Sequence, residues 1–179
     1  MMIQTERLII RFVTEDDWQS AKRIWQSVAE SDFAQYDMPH STDDDDVRRR
    51  IARWAAVKGG REHMFFAVCL GDDMIGYVAF NIRDGGRYEV GYCFRCDCHG
   101  KGYAAESLKA LLEYMRELGA TGIYAGTALE NKPSVALLTR LGFELKETEK
   151  VSFYKDEDGN DIVFDGGIFE LVWGERTKE

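Results

Sequence analysis

The sequence predicts a single mixed α/β domain. Three observations carry that reading: amphipathic helical patterns early in the chain, a change to strand-like runs from His63 onward, and a strand, helix, strand order beginning at Arg87 that asks for a parallel crossover. With 179 residues, 45% of them apolar, one domain can bury roughly 70% of the surface its unfolded chain exposes. No staple of metal or disulfide is needed at that size.

"RLIIRFV", Arg7 to Val13, reads as a first strand. Thr14 with Asp17 then has capping-box spacing and opens a helix to about Glu30, whose apolar face is Trp18, Ala21, Ile24, Trp25 and Val28. After a loop containing Pro39, "STDDDDVRRR" starts a second helix. Asp43 to Asp46 there complement the positive end of the helix dipole, which accounts for the acidic run without a binding site. "HMFFAVCL", "DMIGYVAFNI" and "RYEVGYCF" follow, separated by the turn signals "GDD" and "RDGG", and form an antiparallel meander. A helix from about Tyr103 to Leu118 places Ala105, Leu108, Leu112 and Met115 on one face and stops at Gly119; "GIYAGTA" continues as a strand. "NKPSVALLTRLGF" supplies a short helix with Pro133 near its start and Gly142 at its end, before two strands joined through "KDEDGN".

The bulk numbers exclude several classes. Formal net charge is −9, so the clustered Lys and Arg that grip phosphate backbones are missing and no nucleic acid is expected as partner. The longest apolar run, Met64 to Leu70, is far short of the ~20 residues of a membrane span, and the N-terminus lacks the pattern of a secretory leader. A cytoplasmic protein with no membrane partner is expected. Cys93, Cys96, Cys98 and His99 stand close together, but no second ligand pair follows at zinc spacing, so no metal site is expected.

One short stretch carries chemistry. In "CHGKGYAAES", Gly100 and Gly102 clear side-chain bulk from the start of a helix whose first amides are donors without internal partners. An anion such as phosphate fits there. The run is neither a Walker loop, since no Ser or Thr follows Lys101, nor a dinucleotide fingerprint, since one glycine is missing; alone, an ordinary tight turn explains it equally well.

Together, "YEVGYCFRCDCHGKGYAAESL" and "ENKPSVALLTRLGFEL" resemble the GNAT N-acetyltransferase superfamily, and "TERLIIRFVTEDD" resembles its RimJ/RimL-like branch. The resemblance extends over nearly the whole chain and implies one N-acetyltransferase domain, residues 1–179, with a central mixed, mostly antiparallel sheet flanked by helices. It implies acetyl-CoA as cosubstrate. The diphosphate would rest on the loop His99, Gly100, Lys101, Gly102, Tyr103 and Ala104, and the pantetheine arm would pair with the backbone of Tyr92, Cys93 and Phe94. Asn131 matches an asparagine used near the pantetheine, and its type also suits a helix N-cap. Ser134 matches a serine that protonates the departing sulfur. Many relatives place a tyrosine seven residues after that asparagine, where this chain has Leu138.

Transfer to an amine requires a base, because a lysine amine has a reference pKa near ~10 and a chain terminus near ~8. Glu89 is the candidate, on the strand leading to the coenzyme loop; a solvated carboxylate or salt-bridge partner is the plainer reading of the same residue. Alternation puts Glu89, Gly91 and Cys93 on one face and Tyr88, Val90, Tyr92 and Phe94 on the other, without saying which meets substrate. The acceptor, a protein N-terminus or a small-molecule amine, would enter between "AESDFAQYDMPHS" and "YKDEDGN". There Glu30, Asp32 and Asp37 can attract an amine, while Phe33, Tyr36 and Met38 read as packing. Glu106 reads as packing or capping. A noncatalytic acyl-CoA sensor is the competing reading, and a homodimer is left open.

Overall fold

The computed structural model describes residues 1–173. Its core is one eight-stranded sheet with four helices, and most of the predicted elements are present within a residue or two. The strands are β1 (Met2–Gln4), β2 (Ile9–Phe12), β3 (His63–Leu70), β4 (Asp73–Ile82), β5 (Arg87–Phe94), β6 (Gly122–Ala128), β7 (Glu144–Lys155) and β8 (Asp161–Val172); the helices are α1 (Trp18–Ala29), α2 (Asp44–Ala56), α3 (Tyr103–Glu117) and α4 (Lys132–Arg140). Strand order is β1-β2-β3-β4-β5-β6-β8-β7. Among the described residues only the β5/β6 contact is parallel, as the crossover through α3 requires. Strand β1 was not expected, because three residues are too few to show alternation. The last hairpin also turns back, so β8 rather than β7 borders β6.

Local chemistry explains the helix starts. Thr14 and Asp17 form the capping box, and Asp17 also takes two hydrogen bonds of 2.7 Å from Arg11 on β2, which fixes the approach of α1 to the sheet. Asp43 caps α2 by accepting from the amides of Asp45 and Asp46. Gly119 (φ 91°) and Gly142 (φ 88°) end α3 and α4 in the left-handed region.

Two apolar layers lie on opposite faces of the sheet. Trp25, Ile24, Val47 and Ile51 from α1 and α2 cover Ala67, Cys69, Tyr77 and Cys93. Leu108, Leu111, Leu112 and Met115 from α3, with Leu138 of α4, cover Phe66, Phe80, Tyr88 and Val90 on the other face. Ala105 is only half-buried, a correction to the expected α3 stripe, and Leu111 takes its share of the core. Among the described residues no helix is long and apolar enough to cross a membrane.

Candidate active site

The loop between β5 and α3 is built around two left-handed glycines, Gly100 (φ 72°) and Gly102 (φ 82°). That conformation costs other residues roughly 1–2 kcal/mol, so the sequence specifies glycine by backbone shape as well as by clearance. Gly102 is the N-cap of α3, and no side chain caps the helix's first turn. Its leading amides and the positive end of the helix dipole are therefore left to an outside partner.

A brace from the N-terminal strands holds this loop. Glu106 of α3 accepts from Thr5 Oγ1 at 2.6 Å, from the Arg7 amide at 2.9 Å and from Arg7 Nε at 2.7 Å, while Arg7 Nη1 donates to the Lys101 carbonyl at 2.9 Å. Arg7 also stacks over the Tyr103 ring, 4.7 Å from its centroid. Burial pushes the Glu106 carboxyl up, but the donors from Thr5 and Arg7 outweigh it and hold the group below its ordinary value. Sequence reasoning gave Glu106 a packing role and missed Arg7, whose partner lies 99 residues away.

The adjoining strands then part. Strand β5 pairs with β6 only through Arg87, Tyr88 and Glu89, opposite Gly122, Ile123 and Tyr124, whereas β5 stays paired to β4 as far as Phe94 and β6 to β8 as far as Ala128. Past Glu89 the two strands separate into a wedge whose β5 wall is the backbone of Val90 to Phe94. An extended arm can pair with that wall, because an edge of a sheet offers its main-chain groups to whatever lies beside it.

The two faces of the wedge differ. Tyr92 points to the α3/α4 side, where its hydroxyl lies 2.8 Å from Ser134 Oγ at the start of α4. Burial pushes the Tyr92 phenol up to about 12, against the opposing pull of the Ser134 hydrogen bond, so both hydroxyls keep their protons near neutrality and either can donate to the other. Asn131 caps α4 by accepting from the Ser134 amide at 3.3 Å, so the capping role holds. Leu138 is fully buried in the α3/α4 layer.

On the α1/α2 side stand Glu89, Gly91 and Cys93. Glu89 is ion-paired with Arg83, the plainer of its two readings, and sits beside the open floor made by Gly91 and by Gly126 of β6, where an added methyl would meet nothing within 4 Å. Cys93 is buried. Its thiol is pushed up to about 12, first by desolvation and then by the nearby Asp37 carboxylate, so it stays a thiol rather than a nucleophilic thiolate. His99 turns back to the Phe94 carbonyl at 2.9 Å and closes the strand end.

The loop between α1 and α2 roofs this face. Phe33 packs 6.1 Å from His99, and Tyr36 meets Phe164 of β8 edge-on at 5.6 Å, so these two are packing residues as expected. Met38 is 60% exposed and is not one, because the chain turns it outward beyond the Tyr36 contact. Among the described residues no group of three or more metal-ligating side chains occurs.

A family model described as an acetyltransferase (GNAT) domain matches residues 7–144. The uncharacterized N-acetyltransferase YnaD of Bacillus subtilis (strain 168) is 29% identical over 145 residues, covering 79% of this chain and 82% of that protein. Among solved structures, the ribosomal-protein-S5-alanine acetyltransferase of Vibrio fischeri superposes with a TM-score of 0.83 at 16% identity, covering all of both chains. RimL, a ribosomal L7/L12 alpha-N-protein acetyltransferase in complex with coenzyme A, superposes with a TM-score of 0.81 at 17% identity over 96% of this chain and 98% of that one.

Proposed function

The chain belongs to the GNAT acetyltransferase family, and from that premise we propose that its acetyl-CoA-dependent N-acetyl transfer takes place in the wedge between β5 and β6. The observation that carries this placement is the end of β5/β6 pairing at Glu89 and Tyr124, on the strand that runs on into the loop before the uncapped start of α3. The residues fit the cosubstrate: Gly102 starts α3 without a side-chain cap, and a methyl built there would crowd Arg7 Nη2 at 3.3 Å, so the position favours a residue that leaves the leading amides clear.

In this reading the diphosphate rests on the amides from Gly100 to Ala104, with Lys101 adding charge, and the pantetheine arm follows the backbone of Tyr92, Cys93 and Phe94. Acetyl-CoA supplies an activated acetyl group. Ser134 gives a proton to the departing sulfur, and Tyr92 orients it by donating to its oxygen. Glu89 receives the acceptor's proton, directly or through water, from the face that Gly91 and Gly126 leave open. The acceptor is a primary amine, on a small molecule or at a protein N-terminus. Transfer is direct, since the Cys93 thiol stays protonated.

The deciding experiment is release of free thiol from acetyl-CoA across a panel of amines and peptides. Release that depends on the added amine supports the reading. Calorimetric binding of acetyl-CoA with no release across the panel would favour a sensor.

A further inference from the structure

Asp37 occupies a built position at the mouth of the acceptor face. It ends the short 3₁₀ turn Ala34–Tyr36, with its Oδ1 accepting from the Met38 amide at 2.8 Å. Its Oδ2 faces His40 Nε2 at 3.6 Å, an electrostatic contact rather than a hydrogen bond. On the other side of that ring, Arg50 Nη1 lies 2.6 Å from His40 Nδ1. Arginine can only donate, so Nδ1 bears the lone pair and the ring proton sits on Nε2, toward Asp37. The imidazole is also stacked on Trp25, with centroids 4.8 Å apart and planes 25° apart. A chain from α2 through an aromatic stack thus orients one carboxylate that is itself 49% exposed.

The surroundings give that carboxylate a substrate to meet. Its charge reaches the Cys93 thiol below it and the Tyr154 phenol of β7 beside it, where in each case it adds to the effect of burial in raising the group. Tyr36 and Phe164 form an aromatic wall next to it. Between residues 29 and 41 the chain has three carboxylates and no Lys or Arg; between residues 147 and 165 it has seven carboxylates and two lysines. Both lysines are already paired, Lys150 with Asp165 at 2.7 Å and Lys155 with Asp161 at 3.1 Å. Arg50 adds a positive charge one imidazole away from Asp37, yet carboxylates outnumber cations along these segments, so the field favours cations over anions.

We propose that Asp37, held by His40 and Arg50, receives a positive charge on the acceptor, so that the enzyme selects cationic alkylamines and rejects amines carrying a nearby carboxylate. This deepens the transfer reading and rests on the β5/β6 wedge as its site. A half-exposed carboxylate hydrogen-bonded through Oδ1 keeps its second oxygen for a cation, and a like charge brought beside it is repelled.

Three probes of matched length test it: pentane-1,5-diamine, pentylamine and 5-aminopentanoate. Each is titrated calorimetrically into the full chain and assayed for thiol release from acetyl-CoA. The native protein should bind and acetylate the diamine in preference to the aminocarboxylate. Asp37→Asn should lower that kcat/KM ratio at least tenfold with coenzyme affinity unchanged. His40→Phe, which keeps the ring on Trp25 but removes the N–H facing Asp37, should give an intermediate ratio. An unchanged ratio in Asp37→Asn, or a native protein that binds no cationic probe, overturns the proposal. Thiol release with an unchanged ratio leaves transfer standing and removes Asp37; diamine binding lost in Asp37→Asn without any release keeps the cation site and removes transfer.

Discussion

The Tyr92 hydroxyl lies 2.8 Å from Ser134 Oγ, joining a central strand to the first turn of a helix 42 residues later in the chain. In the proposed mechanism Tyr92 donates to Ser134 and Ser134 gives the proton to the departing sulfur, a direction the 2.8 Å contact permits. Ser134→Ala should lower kcat roughly a hundredfold, the lower range for a positioned acid. Tyr92→Phe removes one hydrogen bond and should cost about tenfold. The double variant should be no slower than Ser134→Ala alone, since Tyr92 acts through Ser134. Additive losses in the double-mutant cycle would show that the two residues work independently.

At the coenzyme loop, Gly102→Ala forces a methyl into the left-handed region and to within 3.3 Å of Arg7 Nη2. The strain is roughly 1–2 kcal/mol; the free loop of the variant relaxes away from it, and restoring the cradle on binding corresponds to about a tenfold change in the equilibrium constant. Acetyl-CoA should bind about tenfold more weakly by calorimetry, while KM for the amine, read at saturating coenzyme, stays within twofold. Equal weakening of both would point to a general collapse of the wedge rather than a local block.

These two sites were legible to different degrees. The glycines and the start of α3 follow from local rules, since residue type and helix periodicity act over a few positions. The turns at Asp43, Gly119 and Gly142 were legible for the same reason. Tyr92 with Ser134, Arg7 with Glu106, and the orienting chain from Arg50 through His40 to Asp37 come from elements far apart in sequence, and single positions do not announce their partners. The divergence of β5 from β6 was illegible too, because pairing is lost there through the geometry of neighbouring strands while the residues remain ordinary strand formers. Alternation correctly split Glu89 from Tyr92; only the placement of α1 and α2 over Cys93 told the faces apart.

On the acceptor face, burial and the Asp37 carboxylate push the Cys93 thiol up to about 12 and keep it protonated near neutral pH. Cys93→Ala should therefore keep turnover within a few-fold. Glu89→Gln should lower kcat roughly a hundredfold with coenzyme affinity intact if its carboxylate takes the acceptor's proton. Arg83→Ala, which frees Glu89 from its ion pair without deleting it, should retain activity. Matching losses in Arg83→Ala and Glu89→Gln would assign Glu89 a structural part only.

Farther from the chemistry, Asp17 links the capping box to Arg11 through two bonds of 2.7 Å, with its side chain only 7% exposed. Desolvation pushes its carboxyl up, yet the bonds from Arg11 and Thr14 prevail and hold it below its ordinary value. A depressed folded-state value means that this contribution is fully present above the unfolded value near ~3.9 and is lost as pH falls through the folded one. Asp17→Asn strands the Arg11 charge and should cost about 3 kcal/mol at pH 7, lowering Tm by roughly 6–12 °C. Thermal melts of native and variant proteins should converge only as pH falls past ~3.9 and through the lower folded-state value, because only there is the native carboxylate neutralised. A constant gap between the two curves down to pH 2 would show that the loss comes from capping by the side chain rather than from its charge.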